Sequence, residues 1–391
     1  MGVEQGHSLQ ADELLTLAQQ RTGLQDFGDS WFLEPLGVML DALNREAALS
    51  AAGVLAHRER IVSGLVNRLR MADAMRRHPE IADEQVEVAA IIVGLPRTGS
   101  TLFHRLLTTA PGLTAVRFWE TQNYAPFPGE VRGQPDARRQ WAADLIAQML
   151  SITPDLLSIH PYQVDGADEE IMILDQFFVG TQPEAYAYIP SYSAWLDQAD
   201  LTPAYRDLRA VLGFLQWQDR ERSGRRWVLK TPGHLAALDV ARAVFPEACF
   251  VMTHRDPLET IPSYCSMVAA LHGAGTQHLD RARVGAFTAR RWAGLLDRFT
   301  QTRDTGAARR FIDVDYRSVQ HAPLLEWRRV LDLLGEPTDA AAEALASDWL
   351  QRNGRAQRAA HQYTLEEFGL DHQQLTELFA TYRERFILGS K

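Results

Sequence analysis

Cysteine is nearly absent from this chain. Cys249 and Cys265 are its only two thiols among 391 residues. Two are too few for a disulfide framework or a four-thiolate metal site, and they suit a reducing cytoplasm. A basic excess is missing as well. The 40 Lys and Arg stand against 50 Asp and Glu, a formal net charge of −10. No nucleic-acid partner is expected from that balance. An anion bound by this chain must therefore meet a local cluster of cations. No apolar run approaches 18 residues, so no membrane span is expected. Met1 to Gln10 holds no apolar run behind a basic segment, so no signal peptide is expected. Gly6 takes the Ser/Thr place of a myristoylation signal and breaks that pattern. Internal repeats and low-complexity segments are not found.

What remains is an ordinary globular composition, 46% hydrophobic and 23% charged, long enough for a full core. Residues 1–86 read as a helical N-terminal extension. In Glu59 to Arg70 the apolar Ile61, Leu65, Val66 and Leu69 share one helical stripe. Residues 87–391 read as an α/β domain, the whole forming one compact unit. Its first strand, Val88 to Val93, is almost wholly apolar, as a strand covered on both faces should be. Further strands are expected at Trp227–Lys230, Cys249–His254 and Phe311–Val314, the last preceding Tyr316. Helical patterns intervene, including Trp141–Leu150 and Glu169–Phe178, while residues 120–140 read as a loop. Strands alternating with helices predict a mostly parallel sheet flanked by helices.

The link from the first strand to its helix is the most informative segment. Gly94-Leu95-Pro96-Arg97-Thr98-Gly99-Ser100-Thr101 has the glycine spacing of a phosphate-binding loop (P-loop). Glycines let backbone N–H groups approach an anion, and the helix start adds partial positive charge. The lysine that a nucleotide triphosphatase places after the second glycine is missing; Ser100 stands there. Positive charge comes instead from Arg97.

Two further strand ends repeat the theme. Lys230 closes the second strand, with Thr231 as an N-cap and Pro232 in the first turn. Arg255 follows the third, ahead of Asp256, Pro257 and Glu259, which read as cap, first-turn proline and capping-box partner. Ser263 lies about two helical turns after Arg255, within reach of a phosphate that Arg255 holds. In open α/β sheets ligands gather beyond the carboxyl ends of the strands. Arg97, Lys230 and Arg255 all lie at that level.

These motifs resemble the sulfotransferases that use PAPS (3′-phosphoadenosine 5′-phosphosulfate), most closely a bacterial branch with a helical N-terminal extension. Gly94 to Thr101 resembles the family's 5′-phosphosulfate loop. His254-Arg255-Asp256-Pro257 with Ser263 resembles its 3′-phosphate motif. Leu229 to His234 resembles the segment whose lysine lies near the sulfate. Weaker resemblances are Thr22 to Gly28, Trp119-Glu120 and Tyr363 to Leu370. The resemblance implies that Arg97, Thr98, Gly99, Ser100 and Thr101 bind the 5′ side of PAPS and that Arg255 and Ser263 bind its 3′-phosphate. It implies that Arg97 and Lys230 meet the sulfuryl and bridging oxygens, with no metal. Eukaryotic cytosolic members have Lys in place of Arg97, Trp in place of Leu102, and a catalytic histidine where Pro232 stands. Arg355 and Arg358 are candidates for the C-terminal phosphate-binding loop of those members.

The acceptor hydroxyl needs a general base. Glu169, in a segment resembling the family pattern, and His234 are the candidates. An alternative makes Asp165 an N-cap with Asp168 and Glu169 in a first helical turn, and a metal cluster of His160, Asp165 and Glu169 is weaker still. Tyr186, Tyr188, Tyr192 and Trp195 line either an apolar acceptor pocket or the core. The expected activity is sulfuryl transfer to a hydroxyl of a small molecule. The competing readings are a P-loop small-molecule kinase and a non-catalytic nucleotide-binding module; the kinase has only Ile312 to Asp315 as a magnesium-binding strand. A homo-oligomer is compatible with the helical extension.

Overall fold

The structure, a computed structural model, describes residues 8–152, 162–305, 310–353 and 364–389. Its centre is a five-stranded parallel sheet in the order β2-β3-β1-β4-β5. The strands are β1 Val88–Gly94, β2 Leu113–Thr114, β3 Arg226–Lys230, β4 Cys249–His254 and β5 Phe311–Asp315. β1 is buried at every residue, as its apolar run predicted. Alternate side chains enter opposite layers. Ile91, Val93, Trp227, Leu229, Phe250 and Met252 join one core, and Ala90, Ile92, Val228 and Val251 the other.

The N-terminal helices α1 Ala11–Thr22, α2 Leu33–Glu46 and α3 Ala51–Arg77 contribute Leu14, Leu36, Leu40, Leu65 and Leu69 to the first core. The helical extension and one face of the sheet therefore share a single apolar interior. The second core is covered by α4 Ser100–Leu107 and by the helices Pro323–Leu334 and Ala340–Asn353. Among the described residues no helix is long and apolar enough to cross a membrane.

Parallel strands put all their carboxyl ends on one edge, which is what brings distant motifs together. Several expectations are refined there. Thr231 caps its turn by accepting from the Gly233 amide at 3.1 Å, but the turn is a 3-10 segment, Pro232–Ala236, before the helix Leu238–Val244 begins. Asp256 caps Pro257–Gly275, here α9, accepting from the Leu258 amide at 3.0 Å. Glu259 does not complete a capping box; its carboxylate takes Arg255 at 2.9 Å. The stretch read as loop from 120 to 140 is loop only between α5 Phe118–Gln122 and α6 Asp136–Ile152. The helix expected over Glu169–Phe178 is the shorter α7, Ile171–Gln176, followed after two short helices by α8 Thr202–Gln218.

Candidate active site

The glycine loop turns from β1 into α4 through three residues of positive φ. Gly94 has φ +140°, and a Cβ there would lie 2.6 Å from the Thr253 carbonyl. Gly99 has φ +79°, and a Cβ there would lie 3.0 Å from the Tyr316 ring. Between them Arg97 adopts φ +69°, which costs a residue bearing a Cβ roughly 1–2 kcal/mol. The strain coincides with contacts. The Arg97 carbonyl accepts from Arg255 Nη1 at 2.9 Å, and its Nε donates to Ser263 Oγ at 3.2 Å. The three residues assigned by the sequence to two separate motifs thus meet directly. The Arg255 guanidinium also lies over the Tyr316 ring, 4.2 Å from its centroid.

Thr98 does not offer its hydroxyl to the loop's concave side. That group donates to the Leu95 carbonyl at 2.9 Å and lies 2.7 Å from Thr253 Oγ1. Its part in a cradle is limited to its backbone N–H. Ser100 and Thr101 open α4, where first-turn amides have no intrahelical acceptors.

Lys230 ends β3 with a buried side chain. Its ammonium donates to Thr101 Oγ1 at 3.1 Å and forms a short ion pair with Glu169. Glu169 is reached by a loop that hydrogen-bonds to residues 116–119. The Asp168 amide donates to the Val116 carbonyl at 2.9 Å, and the Phe118 amide to the Gly166 carbonyl at 3.0 Å. Arg105 on α4 donates to the Ala167 carbonyl at 2.9 Å, tying that loop to the helix that starts the cradle. Asp165 is not an N-cap; it pairs with Arg139 at 2.6 Å. Asp168 accepts from the Glu169 amide at 2.7 Å. His160, Arg355, Arg358 and Tyr363 lie outside the described residues. Among the described residues no three His, Cys, Asp or Glu side chains are grouped for a metal.

His234 is not brought to the cavity. It is wholly buried, with Nε2 2.5 Å from Glu170 Oε1 and Nδ1 2.7 Å from the Tyr205 hydroxyl. Both ring nitrogens are engaged, so it has no free position from which to take an acceptor's proton. Its partner Glu170 follows Glu169 in the chain, and no motif in the sequence marks it. Burial acts to raise the Glu170 carboxyl, but the His234 hydrogen bond and charge and the Lys230 amide outweigh it and hold it below the usual range.

A cavity of about 1470 Å³ opens against this edge. Arg97, Ser100, Thr101, Glu169, Arg255 and Tyr316 line it. Its volume exceeds the roughly 300–1,000 Å³ of a single small-ligand pocket, which gives room for two reactants. Phe118, Trp141, Met149, Tyr162, Met172 and Met267 add apolar surface to its wall. Of the aromatic stretch considered earlier, only Tyr186 lines it. Tyr192 donates to the Phe178 and Gly180 carbonyls, Tyr188 packs on Phe287, and Trp195 donates to Glu34. The strand with the best claim to a magnesium ligand is committed elsewhere, since Asp313 accepts from His254 at 2.9 Å and from Arg303 at 2.6 Å.

The scarcity of lysine also marks this site. The chain has 38 arginines and two lysines, Lys230 and the C-terminal Lys391. A compact ammonium, unlike a planar guanidinium, presents a point charge to one oxygen. Keeping the single internal lysine at this strand end marks the position.

The chain is similar to known proteins of one family. Residues 90–340 match the model of the Sulfotransferase family. Sulfotransferase STF1 from Mycobacterium tuberculosis H37Rv is 31% identical, with 96% of this chain and 99% of that chain covered and a TM-score of 0.84. Sulfotransferase STF9 from Mycobacterium avium is 26% identical, with 99% and 98% covered and a TM-score of 0.87. No curated protein gives a significant match.

Proposed function

Because the chain belongs to the sulfotransferase family, we propose that it moves a sulfuryl group from PAPS to a hydroxyl of a small-molecule acceptor, releasing 3′-phosphoadenosine 5′-phosphate. The observation that carries this reading is the meeting of Arg97, Arg255 and Ser263 at the glycine loop, with Lys230 at the end of β3 bonded to Thr101 of that loop and paired with a carboxylate on the cavity wall.

In this proposal Arg255, with Ser263, binds the 3′-phosphate, which distinguishes the donor from a triphosphate. The amides at Thr98–Thr101 and the start of α4 hold the 5′-phosphate. Arg97 neutralises the sulfuryl oxygens. Lys230 hydrogen-bonds the bridging oxygen, which gains the electron pair as its bond to sulfur breaks. Glu169 takes the proton from the acceptor hydroxyl as the new oxygen–sulfur bond forms. The apolar residues of the cavity wall hold the body of the acceptor and keep water away from the reacting centre. Charge compensation comes from side chains, so no metal is assigned a part. The chemistry suits an enzyme in a reducing cytoplasm, where Cys249 and Cys265 stay as free thiols.

Incubation of the protein and PAPS with a metabolite extract, followed by accurate-mass analysis, tests this reading. The expected products gain the mass of SO3. Products that instead gain the mass of a phosphoryl group, and only with ATP and magnesium, would overturn it.

A further inference from the structure

β3 finishes on an edge that its neighbouring strand does not complete. β2 pairs only with Arg226 and Trp227. The backbone groups of Val228 and Lys230 point the same way as those of Arg226, because alternate residues of a parallel strand bond to the same side. Side chains supply the missing partners. His104 Nε2 donates to the Val228 carbonyl at 3.1 Å, and Glu170 Oε2 accepts the Lys230 amide at 3.0 Å.

Glu170 does not act alone. Its other oxygen faces His234 Nε2, and His234 Nδ1 faces the Tyr205 hydroxyl on α8. Burial pushes the Tyr205 phenol up, so it stays protonated. The Glu170 carboxylate can only accept, so Nε2–H donates to it, while Nδ1 is bonded to the Tyr205 hydroxyl. Every member of the row has a partner. The segments are also pressed together: a Cβ on Gly233 would lie 3.0 Å from Thr181 Oγ1 and 3.2 Å from Ile171 Cδ1.

Glu169 and Glu170 are consecutive, and both act on Lys230. The first holds its ammonium and the second its backbone amide. A lysine side chain is long and flexible, so its charge is placed only as well as its backbone is. A buried carboxylate is costly, and an apolar residue of the same volume would often be as stable. We propose that Glu170, His234 and Tyr205 are positioning residues for sulfuryl transfer: they fix the Lys230 backbone, and through it the ammonium's place between Thr101 and Glu169, without touching either substrate. The inference rests on the role given to Lys230 above.

The test combines kinetics with one spectroscopic reading. Tyr205→Phe removes a single oxygen and keeps the ring; His234→Gln breaks the row at its centre. Release of bisphosphate from PAPS with a phenol as acceptor is measured for each, alone and in a Lys230→Ala background. The expected single-variant losses in kcat are about tenfold for Tyr205→Phe and up to a hundredfold for His234→Gln. Affinity for the bisphosphate should change less than about twofold, and neither variant should cost anything further once Lys230 is gone. Losses that multiply equally in both backgrounds, or that fall on affinity and kcat alike, would overturn the proposal. The second reading needs no substrate. Protein grown with 15N-lysine has two labelled backbone amides, those of Lys230 and Lys391. Hydrogen exchange at Lys230 should quicken in Tyr205→Phe and His234→Gln; an unchanged rate in both would overturn the proposal by itself. Failure of the PAPS assignment shows differently, as an unaltered protein that neither binds the bisphosphate nor releases it.

Discussion

Glu169 and Lys230 are ion-paired across the mouth of the cradle, with Thr101 Oγ1 3.1 Å from the same ammonium. On the proposed function, an incoming phosphosulfate competes with Glu169 for Lys230. In that reading its arrival releases the Glu169 carboxylate from its cation as the acceptor hydroxyl approaches.

This competition gives Glu169→Gln an unusual signature. Turnover should fall about 10²- to 10⁴-fold, the range for loss of a general base. Bisphosphate binding should stay equal or become tighter, because a negative charge facing the anion has been removed. Calorimetric titration of both proteins checks it; weaker binding in the variant would make Glu169 part of the donor surface instead.

Arg255→Ala should separate two nucleotides. A charge-assisted contact to phosphate contributes roughly 1.5–3 kcal/mol. Binding of 3′-phosphoadenosine 5′-phosphate should weaken about ten- to a hundredfold, while adenosine 5′-phosphosulfate, which lacks the 3′-phosphate, should change little. Equal losses for both would refute the 3′-phosphate role.

Arg97 sits at φ +69°, a conformation glycine adopts without penalty. Arg97→Gly should therefore melt no lower than the unaltered protein, and it should lose bisphosphate affinity and turnover together. Strain retained at a functional position is the physical basis of that trade. A large drop in melting temperature would mean that the Ser263 contact, not ligand binding, is what the arginine serves.

His104 is a buried residue of α4 itself, and burial, reinforced by the charge of Lys230, holds its ring down to about 4. The unfolded chain takes up that proton near pH 6.5, before the native chain does. Stability is thus complete above pH 6.5 and declines as pH falls toward 4, by about 1.4 kcal/mol per pH unit for this group. His57, lowered to about 3 by burial, adds in the same direction. Denaturant melts at pH 7, 6 and 5 should show the decline, and His104→Gln should reduce its slope. A slope unchanged by that substitution would contradict the assignment.

Local chemistry made part of this site legible from sequence. Gly94 and Gly99 mark a turn that only backbones without a Cβ can make, and Asp256-Pro257 writes its own helix cap. The parallel sheet followed from apolar strands interleaved with helical patterns. The pairings of Lys230 with Glu169 and of Glu170 with His234 join residues about sixty positions apart. They follow no local spacing, so the sequence could offer His234 as a base and could not reveal that both its nitrogens are occupied. β2, with two residues, is too short to carry an alternation. Its shortness is nevertheless what leaves Lys230 to be held by side chains.

The most direct measurement is thermal unfolding with either 3′-phosphoadenosine 5′-phosphate or ATP with magnesium. A ligand of the native state stabilises it by about 2.7 kcal/mol at a hundredfold excess over Kd. The expected result is a clear rise in melting temperature with the bisphosphate and none with the triphosphate. Stabilisation by ATP and magnesium with no response to the bisphosphate would contradict a cradle built for a 3′-phosphorylated sulfate donor.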